Sequence, residues 1–218
     1  MKLSGLMRRT WSRCMCLLHS LIAVVALVGV SLGSNAALAQ EAGDAAAGER
    51  IAHTCLGCHG VEHYVNVYPS YHVPLIAGQQ GDYLSIALKA YRSGERVHAT
   101  MQANAGLLTD QDIADISAWL SSAGGEYSSD RVGDAPAVAG TCVACHGETG
   151  VSPAGQWPNL AGQYKSYIEH TLKAYRSGAR QNAIMAGIAS ALSDDDIDDL
   201  ADYFSAQEGP LRTAPTNN

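Results

Sequence analysis

The pentapeptide Cys55-Leu56-Gly57-Cys58-His59 is matched later in the chain by Cys142-Val143-Ala144-Cys145-His146. Two cysteines three positions apart lie on the same side of a helical turn, and the histidine follows the second thiol directly. This spacing is typical of c-type haem attachment, in which the thiols form thioethers and the histidine binds the iron. The sequence therefore predicts two covalently bound haem c groups, one through Cys55 and Cys58 and one through Cys142 and Cys145, with His59 and His146 as iron ligands.

Zinc binding and thiol redox chemistry are the alternatives for a Cys-x-x-Cys pair. Zinc ribbons place their two cysteine pairs about 15–20 residues apart, whereas most of a domain separates Cys58 from Cys142. Thioredoxin-type motifs lie beside a βαβ pattern and do not require the histidine. The histidine after both pairs favours haem. The other two cysteines, Cys14 and Cys16, lie in the N-terminal segment, so no structural disulfide is expected.

The N-terminal segment, residues 1–39, has the pattern of a secretory signal peptide. Four basic residues precede a short apolar run, Leu21 to Leu32, and Ala37-Leu38-Ala39 supplies the small-x-small cleavage pattern. The apolar run is shorter than the about 20 residues that cross a membrane comfortably. We therefore expect cleavage after Ala39, export, and a location in the bacterial periplasm.

Cleavage would leave a strongly acidic chain. The four basic residues of the segment are Lys2, Arg8, Arg9 and Arg13, so ten of the 14 basic residues and all 21 acidic ones remain, a balance of about −11. Such a charge argues against nucleic acid or an anionic lipid surface as the partner. Solubility and electrostatic guidance of a basic protein partner are both open as its role.

The chain is a tandem duplication. The heptapeptide 88–94, Leu-Lys-Ala-Tyr-Arg-Ser-Gly, returns unchanged at 172–178, an offset of 84. Pro74 and Pro158, Gly78-Gln79 and Gly162-Gln163, and Met101 and Met185 share this offset. The cysteine pairs are 87 apart, so the loop after the first motif is three residues longer.

Each repeat predicts a small helical domain. In the first, helical patterns span 43–54 and 82–93, and a third helix begins at Thr109, which caps it with Asp112 at the third position. Gly48 in the first helix is expected to allow a close helix crossing. We predict an all-α fold of two tandem domains, each with three main helices around a haem, with these boundaries: domain one 40–125, linker 126–133, domain two 134–208 and a disordered tail 209–218.

A methionine is the candidate for the second axial position of each iron. Met101 and Met185 occupy equivalent places between the middle helix and the last one, and they are the only methionines after residue 39. Three histidines in the first repeat, His63, His72 and His98, have no histidine counterpart in the second, so a bis-histidine iron is the alternative in domain one. The shared offset of 84 favours Met101.

Prolines and arginines near the motifs also have candidate roles. The carbonyl of Pro74 or Pro158 is placed to accept the Nδ1 proton of the motif histidine, which would leave the other nitrogen for iron. A simple turn is the alternative. Four arginines near the ends of the middle helices are candidates for pairing with haem propionates or with the helix dipole: Arg92, Arg96, Arg176 and Arg180.

Over residues 43 to 206 the sequence resembles the di-haem class I cytochromes c called cytochrome c4. The resemblance rests on the two Cys-x-x-Cys-His-Gly motifs, the segments 75–79 and 160–163, the paired Lys-Ala-Tyr-Arg-Ser-Gly, and the methionines. It implies two cytochrome c domains with the axial pairs His59/Met101 and His146/Met185. The activity it implies is periplasmic electron transfer, often toward terminal oxidases.

Two functions stay open. The first is an electron carrier with no substrate of its own, hence not an enzyme, which serves a respiratory complex, a terminal oxidase or a dehydrogenase. The second is the di-haem electron-accepting subunit of a periplasmic dehydrogenase, as in flavocytochromes. Any membrane association is expected to run through a protein partner. A haem enzyme would need an open iron site, which two axial ligands exclude.

Overall fold

The structure of the protein is a computed structural model, which describes residues 42–216. The signal peptide predicted for residues 1–39 lies outside these residues. Within them the regular structure is helical, with only two isolated β-bridges, so the all-α prediction is confirmed. The helices are α1 (Ala45–Ile51), α2 (His53–His59), α3 (Gly81–Ser93), α4 (Ala99–Ala105), α5 (Asp110–Ser122), a 3-10 helix (Ala137–Thr141), α6 (Val143–His146), α7 (Lys165–Ser177), α8 (Ala183–Ala189) and α9 (Asp194–Ala206). None of them is long and apolar enough to cross a membrane.

The last three helices of each repeat are built alike. Helices α7, α8 and α9 begin and end 84 residues after α3, α4 and α5. The middle helices α3 and α7 both end at a glycine in the left-handed conformation, with φ of 82° at Gly94 and 78° at Gly178. The last three helices of the two repeats therefore begin and end at equivalent residues.

Capping boxes fix the starts of α5 and α9. The hydroxyl of Thr109 accepts the N–H of Asp112, and the carboxylate of Asp112 accepts the N–H of Thr109, as the sequence predicts. Ser193 and Asp196 form the same box. Starting each helix at this register turns its apolar stripe inward, and Ile113 in α5 and Ile197 in α9 are fully buried.

Helix α1 crosses α5 closely at Gly48. A Cβ atom at this position would overlap the backbone carbonyl of Asp115, so only glycine fits. The crossing that the sequence predicts for Gly48 is confirmed. The second repeat lacks this long contact, because only the five-residue 3-10 helix precedes its motif, most of which lies on the four-residue α6.

Two apolar clusters form the core, one in each domain. The cluster of domain two gathers Ile168 of α7 with Ile197, Leu200 and Phe204 of α9. The cluster of domain one gathers its α3 and α5 counterparts, Leu84, Ile116, Trp119 and Leu120, and it also contains Ala214, which lies beyond α9. The two repeats therefore complete their cores differently.

The tail was predicted to be disordered over residues 209–218, and for the described part, up to residue 216, this prediction is wrong. Leu211 and Ala214 are each 2% exposed, and Arg212 pairs with Ala77 of domain one in an antiparallel bridge. The prediction failed because the polar and proline-rich sequence of the tail carries no periodic pattern, while its order comes from contacts with residues far earlier in the chain, such as Ala77 and His59.

The domains meet through contacts that repeat under the offset of 84. Gln79 of domain one bonds the backbone of Asn159, and Gln163 of domain two bonds the backbone of Leu75. Each partner is the sequence equivalent of the other, so the interface has approximate twofold symmetry. This symmetry brings the same face of each domain to the contact.

Candidate haem sites

The first motif lies on α2, which carries Cys55, Cys58 and His59 on one short helix. Both cysteines are half-buried, whereas the His59 side chain is buried. Nδ1 of His59 lies 2.9 Å from the carbonyl oxygen of Pro74. A carbonyl can only accept, so Nδ1 carries the proton and Nε2 keeps the lone pair that a metal requires.

The second motif has the same arrangement in spite of its shorter helix. His146 is buried, and its Nδ1 lies 2.9 Å from the carbonyl oxygen of Pro158. The predicted role of the two proline carbonyls is confirmed in both repeats. Burial lowers the pKa of His59 and of His146, against the hydrogen bond to the carbonyl, so both imidazoles are held in the neutral form that ligates a metal.

The first thiol of each motif, Cys55 or Cys142, lies in an environment unlike that of a redox-active cysteine. Burial raises the pKa of Cys55 and of Cys142 above the usual value, whereas a reactive Cys-x-x-Cys thiol has a lowered pKa. No disulfide joins the four cysteines of residues 42–216. The buried environment of Cys55 and Cys142 is therefore not that of a reactive thiol.

In domain two, the predicted iron ligands line one cavity. Its walls include Cys142, Cys145 and His146 from the motif and Met185 from α8. Trp157, Ile184 and Ile188 supply the apolar remainder. A flat apolar macrocycle bound through the two thiols would therefore lie between a neutral imidazole and a thioether, which fits haem c.

In domain one, Met101 holds the equivalent position on α4. Its backbone N–H donates to Nδ1 of His98, the residue that caps this helix, at 3.3 Å. In the second repeat Asn182 caps α8, and its Oδ1 accepts the N–H of Met185 at 3.0 Å. Asn182 therefore has the same capping role in the second repeat as His98 in the first, with a different side chain.

The other two histidines of the first repeat face domain two. The backbone N–H of His63 donates to the hydroxyl of Tyr164 at 3.0 Å. Nδ1 of His72 lies 2.8 Å from the hydroxyl of Ser166, and its ring stacks on Tyr164. The longer loop of domain one thus contributes to the contact between the domains, and both of its histidines are engaged there.

The four arginines divide into two pairs with different roles. Arg92 bonds the carbonyl of Leu108 at 2.9 Å and pairs with the carboxylate of Asp110. Arg176 makes the equivalent contacts with Leu192 and Asp194. This pair fastens each middle helix to the start of the last helix, so its role is structural.

Arg96 and Arg180 reach across the domain interface. Nη2 of Arg96 donates to the hydroxyl of Tyr167 at 2.9 Å, and Nη2 of Arg180 donates to that of Tyr83 at 3.0 Å. Each guanidinium also lies over a tyrosine of its own domain, 4.4 Å and 4.6 Å from the ring centroids of Tyr91 and Tyr175 respectively. Among residues 42–216 no carboxylate forms an ion pair with either arginine.

The two guanidiniums act unequally on the tyrosines that they contact. Burial alone would raise the pKa of Tyr167, but the charges of Arg96 and Arg180 lower it to about 8. Tyr91 and Tyr175, whose rings lie under the same guanidiniums, have pKa values above the usual one, because burial outweighs the two positive charges there. The two guanidiniums, which have no carboxylate partner among residues 42–216, are suited to anionic oxygens. The carboxylates of haem propionates have that chemistry.

Sequence reasoning missed the residues that join the domains. Arg96 and Arg180 bond tyrosines of the opposite domain, and Gln79 and Gln163 bond its backbone. The sequence carries one signal of these contacts, which is that all of these residues obey the offset of 84. The sequence shows which positions are equivalent. It does not show that equivalent positions face each other.

Comparison with known proteins identifies the fold independently. A family model described as cytochrome c matches residues 45–124 and again residues 133–207. Cytochrome c4 of Pseudomonas aeruginosa PAO1 is 40% identical over 208 residues, covering 86% of this chain and 96% of its own. The thiosulfate dehydrogenase electron acceptor of Stutzerimonas stutzeri A1501 is 31% identical over 206 residues, covering 86% of this chain and 94% of its own.

A solved structure agrees with these relatives. The crystal structure of reduced recombinant cytochrome c4 from Pseudomonas stutzeri is similar with a TM-score of 0.62 at 30% identity, over 76% of this chain and all of that one. With two cytochrome c domains, each holding its Cys-x-x-Cys-His motif, the chain carries two covalently bound haem c groups. It belongs to the cytochrome c family, among the di-haem electron-transfer proteins of the cytochrome c4 type.

Proposed function

We propose that the mature chain begins at Gln40 and works in the periplasm as a carrier of single electrons between a respiratory donor and an acceptor such as a terminal oxidase. Haem c, when bound, supplies a one-electron couple at its iron. The observation that carries the proposal is the matched pair of histidine–proline contacts, which prepares the same neutral imidazole in both domains. Two equivalent sites in one chain suit a protein that receives electrons and passes them on.

The axial pairs in this proposal are His59 with Met101 and His146 with Met185. Met185 lines the same cavity as His146, which supports the second pair directly. The equal bounds of α4 and α8 under the offset of 84, and the equal bonding of both methionine N–H groups to a capping side chain, support the first. If both residues of each pair bound the iron, the haem would have no free site for a substrate, so we assign to this chain the role of a carrier and no catalytic step.

Arg96 and Arg180 are assigned to the propionates. Both guanidiniums are partly buried, carry no carboxylate partner among the described residues, and lie where the two domains face each other. A buried cation without a counter-ion is costly, so an anionic group from the cofactor would stabilise each one. In this role the arginines hold the cofactor in orientation and fix the two domains together.

The second candidate is an electron acceptor for a periplasmic dehydrogenase. Its support is the relative named thiosulfate dehydrogenase electron acceptor, which aligns with this chain over nearly its whole length. The acidic balance of the mature chain fits either role, because both need docking to another protein. The two candidates differ in the protein that reduces or oxidises the chain.

The deciding experiment uses the reduced di-haem protein with membranes of its own organism. Under the carrier proposal, membranes oxidise it and cyanide stops the oxidation. Under the acceptor proposal, a periplasmic extract of the same cells reduces the oxidised protein when thiosulfate is added, and the protein elutes with a partner in size exclusion. Membranes that leave the reduced protein unchanged, with and without cyanide, would contradict the carrier role.

Intact mass tests the covalent part of the proposal separately. The protein purified from the periplasm should have the mass of residues 40–218 plus two haems. A mass equal to the polypeptide alone, or with one haem only, would contradict the assignment of one of the motifs. A longer polypeptide would instead contradict cleavage after Ala39.

A further inference from the structure

The segment that follows α9, residues 209–216, crosses from domain two to domain one. Arg212 and Ala77 exchange two backbone hydrogen bonds, with N···O distances of 3.1 Å and 2.9 Å. Ala77 is fully buried and lies three residues after Pro74, whose carbonyl receives the Nδ1 proton of His59. The segment is therefore bonded to the strip of chain that orients the first histidine.

The same segment also reaches the end of the helix that carries this histidine. The N–H of Ala214 donates to the backbone carbonyl of His59 at 2.8 Å. The Ala214 side chain is buried in the apolar cluster of domain one, beside Leu84 and Trp119 of its core. Residues 209–216 are thus bonded to His59 itself and to Ala77, three residues after its partner Pro74.

Domain two makes the corresponding bond with its own loop. Ala161, the equivalent of Ala77, donates its N–H to the carbonyl of Gly150 at 3.0 Å, and the N–H of Leu160 donates to the same oxygen at 2.7 Å. Gly150 has a φ of 81° and lies over the ring of Phe204, so a side chain there would meet that ring. This loop directly follows the second motif.

In domain one, the loop after the motif has been redirected. It is three residues longer, and its His63 and His72 bond Tyr164 and Ser166 of domain two. In domain two the N–H of Ala161 donates to the carbonyl of Gly150. In domain one the N–H of the equivalent residue, Ala77, donates to the carbonyl of Arg212 instead. Residues 209–216 therefore take the place in domain one that the loop after the motif takes in domain two.

Arg212 anchors the segment from outside. Its Nη2 donates to the carbonyl of Glu126 at 2.8 Å, and its Nη1 donates to the carbonyls of Gly209 and Leu211. Its guanidinium lies where a side chain on Gly125 would be, and the N–H of Gly125 donates to Pro210 at 3.0 Å. The end of domain one and the C-terminal segment are fastened to each other by these contacts.

We infer that residues 209–216 are a positioning element of the first haem site, which holds the histidine–proline contact in place and closes that side of the site to water. The inference rests on the proposed role of His59 as an iron ligand. Loosening the segment would let water reach the first site and would weaken the hold on its histidine. Water stabilises the more highly charged ferric state, so the midpoint potential of the first haem should fall.

The test uses three variants of the holoprotein: a chain ending at Glu208, Arg212→Ala and, as matched control, Arg131→Ala in the exposed linker. Potentiometric titration is resolved into two one-electron steps, and haem methyl resonances in the NMR spectrum assign each step to its domain. We expect the first haem to shift to lower potential in both tail variants, more in the truncated chain, while the second haem keeps its potential. The control should leave both unchanged.

A reciprocal variant separates this effect from general loss of stability. Gly150→Ala disturbs the loop that does the same work in domain two, so it should move the potential of the second haem and leave the first. Truncation and Arg212→Ala variants that leave both potentials at the wild-type values would overturn the inference, as would a shift confined to the second haem. The proposed function is judged apart from this, by the number of haems in the intact mass and by the methionine ligation of the wild-type protein.

Discussion

The side-chain amide of Gln79 forms two hydrogen bonds with the backbone of Asn159, one from Nε2 to the carbonyl oxygen at 3.0 Å and one from the Asn159 N–H to Oε1 at 2.7 Å. Gln163 forms the same pair with Leu75, at 2.9 Å and 3.0 Å. Both glutamines are buried, so the bonds are shielded from water. Each domain thus binds the backbone of the other through an equivalent glutamine. These contacts fix the two haem sites relative to each other.

Replacement of these glutamines should weaken the contact between the domains. Gln79→Ala leaves the buried N–H and carbonyl of Asn159 without partners, which should cost about 1–3 kcal/mol in the free energy of unfolding. Gln163→Ala should cost a similar amount, because the contacts are equivalent. Chemical unfolding measures the loss, and in the double variant the two domains should unfold in separate steps.

Gln111→Ala is the matched control for this prediction. Its amide donates to Asp115 within domain one at 2.7 Å and does not cross to domain two. We expect it to leave unfolding as a single step. If the double variant at positions 79 and 163 also unfolds in one step, with the stability of the control, the glutamines do not hold the domains together.

Gly48→Ala should destabilise domain one. The added methyl would overlap the carbonyl of Asp115 where α1 crosses α5, and relieving such overpacking costs about 1–3 kcal/mol. Gly57→Ala is the control, because Gly57 lies exposed on α2 with open space around it and Ala144 stands at the matching place in the second motif. Alanine is the better helix former, so this control should stabilise by up to about 1 kcal/mol. Equal thermal midpoints for the two variants would argue against the close crossing.

The local structure was largely predictable from the sequence. The capping boxes at Thr109 and Ser193, the left-handed glycines 94 and 178, and the contact of each motif histidine with a proline carbonyl all depend on residues close in sequence or on equivalence between the repeats. Such features leave a pattern, because the backbone of a helix end or a turn restricts which residues fit.

Contacts between distant segments were not predictable in the same way. The order of residues 209–216 depends on partners such as Ala77 and His59, and no periodicity in the tail reports them. A histidine three residues before Met101 is a candidate iron ligand from its side chain alone, whereas in the structure His98 caps α4. The histidine side chain alone does not distinguish an iron ligand from a helix cap. The alignment of His98 with Asn182, which caps α8, does.

The stability of the protein should fall in acid through the capping boxes. Hydrogen bonds from Thr109 and Ser193 hold the pKa values of Asp112 and Asp196 below their usual value. The unfolded chain lacks these bonds and binds protons at higher pH, so the stabilisation is complete above the unfolded pKa of about 4 and is lost as the pH falls through the folded pKa. The temperature of the thermal midpoint should therefore decrease as the pH is lowered below about 4. In the double variant Asp112→Asn, Asp196→Asn this decrease should be less steep. Asp199→Asn, at an exposed position on α9, is the control and should keep the wild-type dependence of the thermal midpoint on pH. The same dependence in the double variant as in the wild type would contradict this explanation.

The ligand of the first iron is tested by changing the second. In ferric Met185→His, the weak far-red band of a sulfur-to-iron bond should persist at about half its intensity, because Met101 still supplies it from domain one. The second haem should also move to a markedly lower potential, since a second histidine replaces the thioether. His98→Asn is the control, because asparagine caps the equivalent helix at position 182 and should keep the N–H of Met101 bonded and the full band intact. Loss of the whole band in Met185→His would show that Met101 is not the ligand, and His98, three residues before it, would then be the first alternative.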